Sequence, residues 1–111
     1  MDDKQQQIKL GEECGLSQKK MELLKKCADN DFNWNQLQEI RLGLIKLPIE
    51  DVEFLIQCFN KDMTWTQVRE IRTGFVNGLS LEQIQTYARP EYTAEEMYEL
   101  RVLLEKYAMC L

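Results

Sequence analysis

At 111 residues, 44% hydrophobic and 30% charged, the chain has the size and apolar content of one folded domain, which excludes wholesale disorder. Lys and Arg total 14 against 19 Asp and Glu, and the net charge of −5 opposes phosphate-driven binding of nucleic acid and favours a basic partner. No apolar run approaches the ~18 residues of a membrane span and none follows the polar start Met1–Gln7, so the expected address is the cytoplasm.

The first predicted helix covers about 3–13. From Ile8 to Ser17 the chain aligns without gaps to Ile71 to Ser80, so this helix is a degraded copy of one that recurs downstream. Where the later copy carries Trp65, Val68, Phe75 and Val76, this one carries Asp2, Gln5, Glu12 and Glu13. Polar residues at core positions suit a terminal capping helix, one side of which meets water. Gly15 and its counterpart Gly78 supply the positive-φ residue that ends such a helix.

Shorter helices follow. Leu16-Ser17 opens one to about Cys27, Leu47-Pro48 another to about Phe59, and Leu79-Ser80 a third, one turn shorter, to about Ala88. Ser17 and Ser80 are N-caps, and Pro48 suits a first helical turn because its missing N–H has no partner there.

The longer helices begin at capping boxes, Asn33-x-x-Gln36, Thr64-x-x-Gln67 and Thr93-x-x-Glu96. Behind each box stands the same motif: Trp34 to Leu44, Trp65 to Phe75 and, more loosely, Ala94 to Leu104. Its arginines, Arg41, Arg72 and Arg101, stand 31 and 29 residues apart, the spacing of a helical repeat array. Trp34, Leu37, Ile40, Leu44 and Ile45 share one helical face, as do Trp65, Val68, Ile71, Phe75 and Val76. The two tryptophans read as packing between repeats, because Ala94 replaces them in the last copy. Gly43 and Gly74, inside helices, imply close helix approach or helix termination.

The predicted architecture is all-α: a short α-solenoid of about seven helices in a single domain spanning residues 1–111. It comprises an N-terminal half-repeat cap at about 3–13 and helical hairpins at about 16–45, 47–76 and 79–110.

Catalytic motifs are missing. The chain has no histidine, no Gly-rich phosphate loop and no nucleophile elbow, so no catalytic, metal or cofactor-binding residue is assigned and an enzyme is not expected. Of the 4 cysteines, Cys27 and Cys58 fall one repeat apart and read as small buried apolar residues. The acidic residues Glu50, Asp51 and Glu53, and Glu91, Glu95, Glu96 and Glu99, lie in or beside first helical turns, where the helix dipole favours them.

Glu39/Arg41, Glu70/Arg72 and Glu99/Arg101 are the most regular charged feature. Residues two apart on a helix do not face each other. One reading is therefore a structural ladder in which the arginine of one repeat meets the glutamate of another. The other is an arginine stripe that grips a partner. On that second reading the partner-binding candidates are Arg41, Arg72 and Arg101, with the acidic Glu50, Asp51, Glu53, Glu95 and Glu99.

The segments Trp-x-Gln-Leu-x-Glu-Ile-Arg-x-Gly-Leu and Gly-Leu-Ser-x-Glu-Gln-Ile-x-x-Tyr-Ala-Arg-Pro-Glu-Tyr, the latter at 78–92, resemble a helical repeat of about 30 residues. It occurs in uncharacterised proteins of Gram-positive gut bacteria, their phages and their conjugative elements. The resemblance covers the chain from about residue 8 onward and carries no functional residue with it. What it implies is a mobile-element setting, in which small acidic proteins serve as accessory factors or as inhibitors of host defence, anti-CRISPR proteins among them. The expected function is accordingly a non-enzymatic protein-binding module that covers the nucleic-acid-binding surface of a basic nuclease or similar protein. Two alternatives stand beside it. One is a nucleic-acid-binding helix–turn–helix-type regulator using Lys19, Lys20, Lys25 and Lys26. The other is a self-assembling protein that dimerises through Leu103, Tyr107 and Leu111.

Overall fold

The computed structural model describes residues 2–110, with side chains described as far as residue 107. Among these residues the chain forms seven α-helices and no strand: α1 (Asp3–Glu13), α2 (Gln18–Ala28), α3 (Trp34–Lys46), α4 (Ile49–Asn60), α5 (Trp65–Val76), α6 (Leu81–Tyr87) and α7 (Ala94–Cys110). The expected all-α repeat arrangement is therefore the one adopted.

Helix starts follow the side chains that cap them. Asn33 Oδ1 accepts from Gln36 N at 2.9 Å while Gln36 Oε1 accepts from Asn33 N at 2.8 Å. The same reciprocal pair forms at Thr64/Gln67 and at Thr93/Glu96. A further box, Ser80 with Gln83, starts α6 and adds a second bond to the serine cap expected there. Each box satisfies backbone donors that the first turn leaves without partners. Pro48 stands one residue before α4, and its carbonyl accepts the helical bond from Val52 N at 3.3 Å.

Four helix ends, those of α1, α2, α4 and α5, are closed by left-handed residues, whereas α3 and α6 run into Leu47 and Ala88 at negative φ. Gly15 (φ 75°) and Gly78 (φ 94°) behave as expected, and Leu16 N and Leu79 N reach back to Gly11 O and Gly74 O. Asp31 (φ 58°) and Asp62 (φ 66°) do the same work after α2 and α4, which the sequence reading missed. Aspartate tolerates this region better than most side-chain-bearing residues.

Two compact units divide the chain, Met1–Val52 and Glu53–Leu111, with the boundary inside α4. In the first, α1, α2 and α3 pack on one another, and Leu24, Leu37, Ile40 and Leu44 are fully buried. In the second, α5 packs chiefly on α7 while α6 touches both, and Val68, Ile71, Ile84, Tyr87 and Met97 are fully buried. Phe54 meets Phe75 edge-on there at 5.9 Å between ring centroids. The units share one plan: two copies of the recurring long-helix motif, α1 with α3 and α5 with α7, enclose a helix of the shorter kind, α2 or α6, and a glycine of the first copy lies under that helix; α1 and α2 are equal at 11 residues each. Gly11 lies against Leu24 and Met21, and Gly74 against Ile84 and Tyr87.

Trp34 departs from the packing expected of it. Trp34 is 44% exposed, and Trp65 is half-buried with the Arg69 guanidinium 5.4 Å above its ring. A first-turn residue lies beside a capped end rather than mid-helix, so Trp34 keeps much of its ring in water.

Candidate functional site

Glu70 of α5 is the centre of a polar network inside the second unit. Arg101 of α7 donates from Nε to Glu70 Oε1 at 3.2 Å, and its Nη1 donates to Glu105 Oε2 at 2.9 Å. Asn77 Nδ2 donates to the same Glu105 carboxylate at 2.9 and 3.0 Å. Tyr87 of α6 donates its hydroxyl to the Glu70 carbonyl at 2.9 Å, and burial pushes its pKa up while Arg101 opposes the shift. Arg101 is only 8% exposed, so it is a core group and not part of a surface stripe. A buried charge is tolerated only when paired and hydrogen-bonded, and this network supplies both conditions.

The first unit repeats the contact with a neutral acceptor. Arg41 Nε donates to Gln7 Oε1 at 2.7 Å, and Gln7 stands where the second unit has Glu70. Of the arginines expected at a partner surface, Arg41 and Arg101 thus tie long helices together. Arg72 is half-buried.

Other polar positions also serve the fold. Gln67, beyond its capping role, donates Nε2 to Tyr92 O at 2.6 Å and to Pro90 O at 3.2 Å, fixing the loop before α7. No sequence signal distinguished it from Gln36. Lys20 donates to Leu44 O at 2.7 Å and Leu47 O at 3.1 Å, at the carboxyl end of α3. The basic patch read on α2 is therefore reduced to Lys19, Lys25 and Lys26, all exposed. Cys27 and Cys58 are buried, and that burial pushes both thiols up to about 11, away from nucleophilic chemistry.

The acidic candidates lie at the surface. Glu50 and Glu53 are exposed, and Asp51 is half-buried, its carboxyl held above the usual range first by desolvation and then by Glu50. No group of three or more potential metal ligands occurs among the described residues. Glu95 and Glu99 are exposed on α7 and make no ion pair among the described residues, whereas Glu96 is held in the cap.

These glutamates share the outward face of α7 with large apolar side chains. Tyr98 is 51% exposed, Val102 40%, Leu103 49% and Tyr107 67%. The face is graded: Glu95 and Glu99 stand toward its amino end, Val102, Leu103 and Tyr107 toward its carboxyl end, and Lys106 is its one exposed cation among the described residues. The buried face of the same helix, Met97 and Arg101, packs into the unit. Several large apolar side chains grouped on one solvent-facing helix surface are the mark of an interaction site. This face, and not an arginine stripe, is the candidate site. Compared with protein-family models, curated proteins and solved structures, the chain matches none.

Proposed function

We propose that this chain is a non-enzymatic protein–protein binding module that engages a basic partner through the outward face of α7. The observation that carries the reading is the apolar group Tyr98, Val102, Leu103 and Tyr107 exposed beside Glu95 and Glu99. In a chain of net charge −5, such a face offers apolar area for affinity and negative potential for steering. The resemblance of the repeat to proteins of Gram-positive mobile elements extends the proposal. The partner is then a host defence protein, and binding covers its nucleic-acid-binding surface in an anti-CRISPR-like manner. The occupation of Lys20 by backbone carbonyls weighs against direct nucleic-acid binding.

The test is capture by the tagged chain from a Gram-positive host lysate, with and without nuclease, across a salt series. The proposal expects a stoichiometric protein partner that survives nuclease, weakens with salt and is displaced by DNA or RNA. Enrichment that vanishes with nuclease would put nucleic-acid association in its place. Binding indifferent to salt would remove the covering of a basic surface.

A further inference from the structure

The repeat itself describes what belongs on α7. Each long helix carries an acidic or amide residue followed four positions later by a small or apolar one: Gln7/Gly11, Glu39/Gly43, Glu70/Gly74 and Glu99/Leu103. The first three pairs are buried. Glu99 is exposed and Leu103 is 49% exposed.

Within each unit the cover has the same composition. An arginine of the next long helix in the unit donates Nε to the first member, Arg41 to Gln7 and Arg101 to Glu70. Apolar side chains of the short helix lie over the second, Leu24 and Met21 on Gly11, and Ile84 with Tyr87 on Gly74. On α7 the glycine position already holds a leucine, so close approach of a short helix is blocked and a flatter contact is left. What remains unmet is a carboxylate in the register where an arginine arrives, beside bare apolar side chains.

A second copy of this chain fits poorly. Its α1, the polar end of the repeat, has Lys9 at the arginine position, but that register brings the exposed Asp2 and Asp3 at the start of α1 level with the exposed Glu95 and Glu96. Like charges across an interface disfavour that pairing.

We infer that the outward face of α7 docks a helix of another protein that presents an arginine or lysine to Glu99 and an apolar stripe to Val102, Leu103 and Tyr107. The inference rests on the binding-module reading and adds the chemistry of the partner's contact. It predicts a helix-on-helix interface with one specific charge pair at its acidic end and dispersion contacts at the other.

The test introduces the photo-cross-linker benzoyl-phenylalanine at position 103 of the full tagged chain in nuclease-treated host lysate, with adducts mapped by mass spectrometry. The same experiment is repeated with Glu99→Arg. Both positions are exposed, so melting curves of the variants should match the parent. The expected result is an adduct in a helical segment of another protein bearing Arg or Lys within a turn of apolar residues, its yield falling about tenfold or more with Glu99→Arg. An adduct on a second copy, an adduct on a segment without a basic residue, or a yield unchanged by Glu99→Arg overturns the inference. So does the absence of any adduct at 103 while the unmodified chain still captures a protein, which leaves the binding-module reading standing on another surface. If the unmodified chain captures no protein, that reading fails as well.

Discussion

Gly74 has no room for a side chain: a methyl carbon there would lie 2.7 Å from Ile84 Cδ1 and against the Tyr87 hydroxyl, which is itself held by Glu70 O. At Gly11 the nearest atom is the end of Leu24, at 2.9 Å, and a terminal methyl turns aside more easily than a hydrogen-bonded phenol. Gly74→Ala should therefore destabilise by about 2–3 kcal/mol and Gly11→Ala by less, as urea unfolding would record. Equal losses would contradict the difference in packing. Arg101→Met should cost about 3 kcal/mol because it removes the nearer and more buried charge partner of Glu70 and leaves only Arg69 Nε at 3.6 Å, whereas Glu70→Gln reproduces the Gln7–Arg41 contact and should cost about 1 kcal/mol. The thiols give a pH test. Burial raises Cys27 and Cys58 from 9.0 to about 11, so the unfolded chain releases these protons at lower pH than the folded one. Stability should thus be complete below pH 9 and decline as the pH rises from 9.0 to about 11, with a shallower decline in the Cys27→Ala/Cys58→Ala variant. A steep decline that ignores those substitutions would assign the effect elsewhere.

Helix starts were readable because their cause is local. A capping box needs residues three apart, and the predicted starts at Asn33, Thr64 and Thr93 are all occupied as hydrogen-bonded boxes. The turns at Asp31 and Asp62 were not readable, since aspartate enters the left-handed region only when the helices on either side hold it there. Gln67 joins the two kinds of information. Its cap is visible in sequence, but its bonds to Pro90 O and Tyr92 O depend on how the chain returns to it. Gln67→Ala should accordingly lose about 2 kcal/mol, more than the roughly 1 kcal/mol expected for Thr64→Ala, which removes a cap alone. Equal losses in thermal melts would mean that the loop before α7 does not need this tie.

The periodicity disclosed a repeat and an arginine–glutamate relation, but not which of those side chains would face solvent. Burial of Arg101 follows from α7 packing on α5, a long-range event that equal spacing along the chain cannot report. For the same reason the sequence points to only part of the exposed group on α7, to Leu103, Tyr107, Glu95 and Glu99 and not to Tyr98 and Val102. Copies of one motif differ in function through what lies over them, and α7 is the copy whose glutamate stays bare. The most direct test compares capture of a host protein by the parent chain, by Val102→Asp/Leu103→Asp, and by Lys19→Glu/Lys25→Glu/Lys26→Glu on α2. All the substituted residues are exposed, so each variant should fold as the parent does. The account predicts that the α7 variant loses its protein partner while the α2 variant keeps it. Retention by the α7 variant together with loss by the α2 variant would contradict the assignment and move the binding surface to α2.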